Sequence, residues 1–536
     1  TDACNEGLAT WCSWRFGRGE EKGLQRGVGP RMIEVFDTRP ESSRPDQAMI
    51  ANLSEDTGNR VRWFERQPHG TRPDLGIIAQ LDSAQPESRP VGMRSPLGLG
   101  GLVRHRIRRQ LHGSFLSESR QSLPIPPAGD VFCNKIANCI TLVESGQDKA
   151  IGLQFSPNVH AVSSMLEDQC ASFVAVSSSA IDPACFLGGW IKGTYLWDYD
   201  LPSYSHRAGD TSGYYLLSQV RDADRDALGR VLCPLPGCEG LDQSQVEQIL
   251  LEVARRGIPT VRGLSGDDTG ATGDLGLFVA VRLLQDQFRT EGNKDSLLPV
   301  LSGTQDDLSM ALIIPVDPFR SYLADLSRSL ERDKKETSLS RPDLLVIGIR
   351  ATEAGVRLHL TPIEVKFRNQ GSGFPPGEAK EALAQARALT TLLKAMVDQS
   401  AKSTAWKLAY QHLLLSMIGF GLRVYSQHEL VSTQTERWSG YHERIAAEIL
   451  APDSSITIDE SGRLLVVDGT PLSDAHDHDG DGFSESISIS PKDAGKIVGG
   501  DPQEFYEAVR SKVGDWRLMP SLDTAITTST TSVSPD

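Results

Sequence analysis

The chain has 536 residues, a formal charge of −15 and a hydrophobic content of 39%. That length exceeds one ordinary core and predicts three or four domains, while the acidity excludes a global basic footprint for nucleic acid and leaves only local contact. No apolar run of about 18 residues and no basic start followed by an apolar stretch occurs, so neither a membrane span nor a secretory signal is expected, and the chain reads as cytoplasmic.

Residues 1–150 are Arg-rich, punctuated by Gly and Pro, and only weakly periodic. Within them Leu102–Leu111 (LVRHRIRRQL) is read as an amphipathic helix with a solvated basic face. Eight cysteines are too sparse for a disulfide scaffold, and the pairs Cys133/Cys139 and Cys233/Cys238 fit zinc spacing only loosely, so reduced thiols are expected. Residues 151–315 read as an α/β domain. Phe173–Val176 is a strand; Ser244-x-x-Glu247 is a capping box for a helix closed by Gly257; Ile258–Val261 is a strand; Asp274–Phe288 is a helix. The aromatic-dense passage 182–213 is taken as a structural loop rather than a base-stacking platform. Glycine-dense Gly263–Gly276 lacks the Gly-Lys-Ser/Thr of a triphosphate cradle, and in Gly495-Lys496-Ile497 the third residue has no hydroxyl, so no nucleotide-hydrolysing motor is expected.

Asp317-Pro318-Phe319 opens a helix through Leu330, with Phe319, Tyr322, Leu323, Leu326 and Leu330 at helical spacing. Arg341-Pro342-Asp343 then introduces the apolar run Leu344–Ile349, a buried strand by composition. Ala351–Gly355 is turn-like, and Val356–Phe367 has the β-branched and aromatic content of a second strand, ending in Glu364-Val365-Lys366. A turn centred between Glu353 and Ala354 sets Asp343 opposite Glu364, and strand alternation puts Lys366 on the same face as Glu364. Two carboxylates and an ammonium at one hairpin end suit a hard divalent cation and a water poised for attack on a phosphodiester. The earlier Arg72-Pro73-Asp74 also precedes an apolar stretch, but no second strand with a matching acid follows it, so it is discounted. Glu378–Met396 forms a helix with Gln385 beside its apolar stripe, and residues 341–368 carry five Arg or Lys against three acids. Arg368 and Lys380 are candidate phosphate contacts.

Residues 451–520 read as a small β-rich domain with a short helix over Pro502–Lys512. Asp477-His478-Asp479-Gly480-Asp481-Gly482 has the spacing of half a calcium loop, but Ser488 stands where a bidentate glutamate is needed, so a polar hairpin turn is preferred. Residues 521–536 are a Ser/Thr-rich tail or linker, and together with the start at Thr1 they are read as marks of a piece of a longer protein.

The strand–turn–strand–helix block with Asp343, Glu364 and Lys366 resembles the PD-(D/E)xK, restriction-endonuclease-like nuclease superfamily. The resemblance implies an α/β multi-domain chain with a mixed-sheet αβββαβ core in residues 317–450, behind a second α/β domain. It implies Asp343 and Glu364 as ligands of Mg²⁺ (or Mn²⁺), joined by the Val365 carbonyl and by an acid on the preceding helix, for which Glu331 is the candidate. Lys366 would serve the attacking water. Some relatives place a Gln-x-x-x-Tyr on the following helix; here Gln385 is present, but Leu389 replaces the tyrosine. The function implied is metal-dependent hydrolysis of DNA in a bacterial DNA-processing or restriction, anti-phage protein. The alternative is a non-catalytic DNA-binding or assembly module of a larger ATPase or translocase.

Overall fold

The computed structural model describes residues 32–65, 72–79, 105–111, 114–120, 159–168, 171–177, 193–199, 214–255, 268–286, 308–330, 341–352, 355–368, 376–426, 444–445, 447–449, 451, 456–468, 486–499, 516 and 518–520. Strand β1 (Met32–Asp37) buries alternate residues, and helix α1 (Gln47–Thr57) returns the chain to β2 (Arg60–Phe64), which pairs with β1 in parallel. The Asp46 carboxylate caps α1 by accepting from Met49 N at 2.8 Å, and Gly58 ends the helix at φ +62°. Strand β3 (Leu75–Ala79) follows the discounted Arg72-Pro73-Asp74. The Asp74 carboxylate accepts from Glu34 N at 3.0 Å, so it ties β3 to β1.

The basic stretch expected as a helix is instead β4 (His105–Leu111), paired antiparallel with β5 (Ser114–Arg120) from His105–Arg120 to Leu111–Ser114. The partner begins only three residues on, so the hairpin is local, and the helical expectation fails because the pairing of the two strands overrides an apolar spacing that also fits a helix. Helix α2 (Val159–Glu167), β6 (Phe173–Ser177), β7 (Tyr195–Tyr199) and β8 (Tyr214–Ser218) complete a sheet of order β2-β1-β3-β6-β8-β7. Of the aromatic passage, Trp197 on β7 is fully buried and donates Nε1 to the Ser218 carbonyl at 3.2 Å, a packing role.

Helices α3 (Asp222–Leu232), α4 (Gln243–Arg255) and α5 (Asp268–Asp286) follow. The cap of α4 is Asp242, not Ser244: Asp242 Oδ1 accepts from Gln245 N at 2.8 Å and Gln245 Oε1 accepts from Asp242 N at 2.9 Å. Asp242→Ala is therefore expected to cost about 1 kcal/mol in urea unfolding and Ser244→Ala only a few tenths. Helix α5 begins six residues before the expected Asp274, so the end of the glycine-dense passage is helical and not a phosphate loop. One reason for glycine there is close packing: a Cβ on Gly276 would lie 2.8 Å from Phe367 Cβ.

A second sheet begins with β9 (Leu308–Pro315). A 3₁₀ turn (Asp317–Phe319) leads into α6 (Arg320–Leu330), then β10 (Leu344–Thr352), β11 (Gly355–Phe367), α7 (Pro376–Ser400) and α8 (Thr404–Ser426). Strands β12 (Ile456–Ile458), β13 (Arg463–Val467) and β14 (Ser486–Ile489) precede α9 (Pro491–Gly499). The order is β14-β13-β11-β10-β9, with β12 also on β11; β9, β10 and β11 are antiparallel, and β11, β13 and β14 parallel. Among the described residues, the αβββαβ order expected over residues 317–450 is not complete within that range. Its described residues supply two strands, and the sheet is completed by β9 before them and β12–β14 after residue 450. The first sheet likewise draws strands from both sides of residue 150. Gly495-Lys496-Ile497 lies within α9; residues 502–512, 256–267 and 477–482 lie outside the described residues.

The chain is thus mixed α/β with two mixed sheets. One apolar cluster runs from Ile33, Val35 and Leu75 of the first sheet through Phe278 and Leu284 of α5 to Val346, Val365 and Leu465 of the second. Arg282 binds this layer together. Its guanidinium pairs with Glu252 of α4 at 2.5 Å, donates to the Ile497 and Val498 carbonyls at the end of α9, and lies over the Phe278 ring. Against the other face of the second sheet, Leu389 and Leu393 of α7 and Phe420 of α8 pack on Ile347 and Leu358. No helix among the described residues is long and apolar enough to cross a membrane. Cys233 and Cys238 are both free thiols.

Candidate active site

Strand register builds the site. Leu344 pairs with Ile363 and Thr352 with Gly355, so the next pair outward is Asp343 with Glu364, the register expected from the turn. Leu345 and Ile347 belong to the cluster beneath α7 and α8, whereas Ile363 and Val365 belong to the opposite one; alternation therefore places Asp343, Glu364 and Lys366 on the α7 face. Asp343 is held from two sides. Its Oδ2 accepts from Val365 N at 2.9 Å and its carbonyl accepts from Val316 N at 3.0 Å. Glu364 is 2% exposed. Lys366 Nζ donates to Glu364 Oε1 at 2.5 Å and reaches Gln385 Oε1 of α7 at 3.4 Å, the long limit of a hydrogen bond.

The charges are arranged at a cost. Burial raises the Asp343 carboxyl above its ordinary range; the Val365 N–H and the Lys366 ammonium act against this, and the Asp317 charge adds to it. Burial, then the neighbouring Asp343 charge, push Glu364 up to about 8, with Lys366 opposing. Glu364 Oε2 is buried and has no hydrogen-bond partner. A buried, unpartnered carboxylate oxygen near a second carboxylate, with one ammonium to serve both, is a site that a cation would complete.

A pH dependence follows. The folded Glu364 keeps its proton to higher pH than the unfolded chain, so the folded state binds more protons between about 4.5 and about 8. With divalent cations chelated, stability is expected to fall as pH rises through that window. Urea midpoints across it should show the slope in the wild type and a flatter line in Glu364→Gln.

Of the other expected site residues, Glu331 lies outside the described residues, since α6 is followed from its last residue, Leu330, to Arg341 by a span that is not described. The acid whose field reaches Asp343 is Asp317, in the 3₁₀ turn that opens α6, where it pairs with Arg341 at 3.2 Å. Its sequence signal was visible as Asp317-Pro318, but it reads there only as a helix start. Arg368 is engaged by Glu378, and Leu389 is fully buried in the core, so no tyrosine equivalent is offered from its position. Among the described residues, no group of three or more His, Cys, Asp or Glu is placed to hold a metal; the site offers the two carboxylates. Mg²⁺ commonly uses only one or two protein carboxylates and retains waters, so two suffice chemically.

No family model, no curated protein and no solved structure matches the chain.

Proposed function

We propose that the chain hydrolyses DNA phosphodiester bonds with a divalent cation, by a site of the PD-(D/E)xK kind on β10 and β11. The observation that carries this reading is the buried, unpartnered Glu364 Oε2 on a carboxyl that feels the Asp343 charge, with Lys366 on the same face. The finer fold reading is a nuclease core made of the β9–β10–β11 meander, parallel β13 beside β11, and α6 and α7 on the site's face. In it Asp343, Glu364 and the Val365 carbonyl would hold Mg²⁺ or Mn²⁺. When bound, the metal supplies Lewis acidity to the phosphodiester and lowers the pKa of its water. Lys366 orients the attacking water and balances the charge that develops on the phosphate. Gln385 holds the Lys366 ammonium in place through its side-chain oxygen. A bacterial DNA-processing or restriction role, with an ATPase or translocase partner, remains part of the same proposal.

The test is plasmid and linear DNA incubated with Mg²⁺, Mn²⁺ or EDTA, with wild type beside Asp343→Asn. Cleavage that needs the cation and disappears in Asp343→Asn is expected. Cleavage indifferent to EDTA and to the substitution overturns the reading. Salt-sensitive DNA binding without cleavage under any condition would favour the non-catalytic module.

A further inference from the structure

The first sheet has a face that is only half covered. Strand pairing sets Met32 beside Arg60, Glu34 beside Arg62 and Phe36 beside Phe64 across β1 and β2. The intervening Ile33 and Val35 are buried with Leu53 of α1, and Ser54 Oγ of the same helix accepts from Val61 N at 3.1 Å. Alternation therefore turns Met32, Glu34, Phe36, Arg60, Arg62 and Phe64 to the other side of the sheet. Helix α2 lies on that side over β3: a Cβ on Gly76, the residue that pairs with Phe36, would stand 2.3 Å from Met165 Cγ. The β1–β2 half stays open. Met32 and the Arg62 side chain are each 44% exposed, and Arg60 is exposed as well.

The open half carries a row of flat groups. The partly exposed Phe36 and Phe64 rings stack with centroids 5.6 Å apart and planes 21° from parallel, and the Arg62 guanidinium lies 5.2 Å from the Phe64 centroid. Glu34 steadies that guanidinium at 3.2 Å. Arg60 makes no side-chain hydrogen bond or ion pair among the described residues. This face thus sets two guanidiniums against one carboxylate, a local positive excess in a chain of charge −15. The nearby Arg39–Asp37 and Arg44–Glu65 pairs add no net charge. Arginines alone would serve to guard β2, the edge strand, against pairing with another chain. Stacked rings left partly in water beside them call for more: a partner with a flat face and a negative charge a short way off.

An unpaired nucleotide has both. We infer that this face binds single-stranded DNA, with a base stacking on the Arg62–Phe64 row and a neighbouring phosphate meeting Arg60. Bases stack on aromatic rings and on guanidinium planes alike, and every base offers such a face, so the contact is indifferent to sequence. A duplex covers its base faces by its own stacking and offers this row only phosphates. The two rings stand at the carboxyl ends of parallel strands, the end at which open α/β sheets take ligands. The choice of DNA rests on the proposed cleavage reaction. The surface itself belongs to the first sheet and shares no residue with the Asp343–Glu364 pair.

The experiment is fluorescence anisotropy of the full chain with labelled oligo(dT), in EDTA so that no cleavage intervenes, with a blunt duplex and oligo(U) as further probes. Saturable oligo(dT) binding is expected, weakened about tenfold or more by Phe64→Leu, which stays apolar but loses the flat face. Arg60→Gln should lower the slope of log affinity against log salt by about 0.7, the value of one phosphate contact on a single strand. Arg60 is exposed, so Arg60→Gln decides the matter if Phe64→Leu does not fold. Absence of saturable oligo(dT) binding, wild-type affinity in Phe64→Leu, or an unchanged salt slope in Arg60→Gln overturns the proposal. An equal loss of duplex affinity in Phe64→Leu overturns the base-stacking assignment, and tighter binding of oligo(U) overturns the choice of DNA. Plasmid cleavage is measured separately. Cation-dependent cleavage beside wild-type oligo(dT) binding in Phe64→Leu sinks the platform alone; oligo(dT) binding lost in Phe64→Leu, with no cleavage under any condition, sinks the proposed reaction alone.

Discussion

Lys366→Ala is expected to lower metal-dependent DNA cleavage by about 10²–10⁴-fold while the chain stays folded. The lysine is less buried than the carboxylates, and its stem is not part of a core cluster, so little packing is lost. What is lost is the only ammonium hydrogen-bonded to Glu364 among the described residues. Its removal takes the ammonium partner from Glu364 and raises that carboxyl further. Two readouts separate catalysis from structure. Single-turnover cleavage at saturating Mg²⁺ should show the loss, and urea unfolding should not. A proton-transfer role would also shift the pH profile of the residual rate, whereas a purely structural ion pair would leave the profile in place. Unchanged cleavage in Lys366→Ala would remove the lysine from the mechanism and weaken the whole assignment.

The largest effect on stability is expected at Gly348. A Cβ built there would stand 2.1 Å from the Leu518 carbonyl oxygen and 3.1 Å from Met519 Cα. The obstruction is backbone, which cannot rotate away, so either β10 or the crossing Leu518–Met519 backbone must shift. Trp516 and Leu518 are buried in the layer between the sheets, so that shift opens core. Gly348→Ala should cost about 2–3 kcal/mol in urea unfolding, and Gly348→Val more. Gly229 in α3 is the control. A Cβ there meets nothing within 4 Å, so Gly229→Ala should stabilise by about 0.5–1 kcal/mol. Equal effects at the two positions would show that the Leu518 crossing is not held in solution.

Local rules recovered much of the β10–β11 hairpin because its information is local. An apolar run, a short turn ending at Gly355 with φ +138°, and a β-branched run fix both register and faces within some 25 residues. Helix limits were less legible. Asp242 and Ser244 are both acceptable caps by residue type, and only the hydrogen bonds of the folded chain choose between them. Strand pairing at a distance was not legible at all. Nothing in Ile456–Ile458 or Arg463–Val467 says that they lie parallel to β11, about a hundred residues earlier. The sense of LVRHRIRRQL was lost although its partner is local, because its apolar spacing also fits an amphipathic helix.

The sequence by itself determined that Asp343, Glu364 and Lys366 share one face of one hairpin, because side chains alternate with a period of two and the turn sets the register. The tertiary structure alone decided what surrounds them. It brought the Asp317 field onto Asp343, set Gln385 beside Lys366, and laid Leu518 and Met519 over Gly348. Burial and the loss of water around a charge depend on which segments pack over it. Those segments come from far along the chain, so no local pattern encodes them.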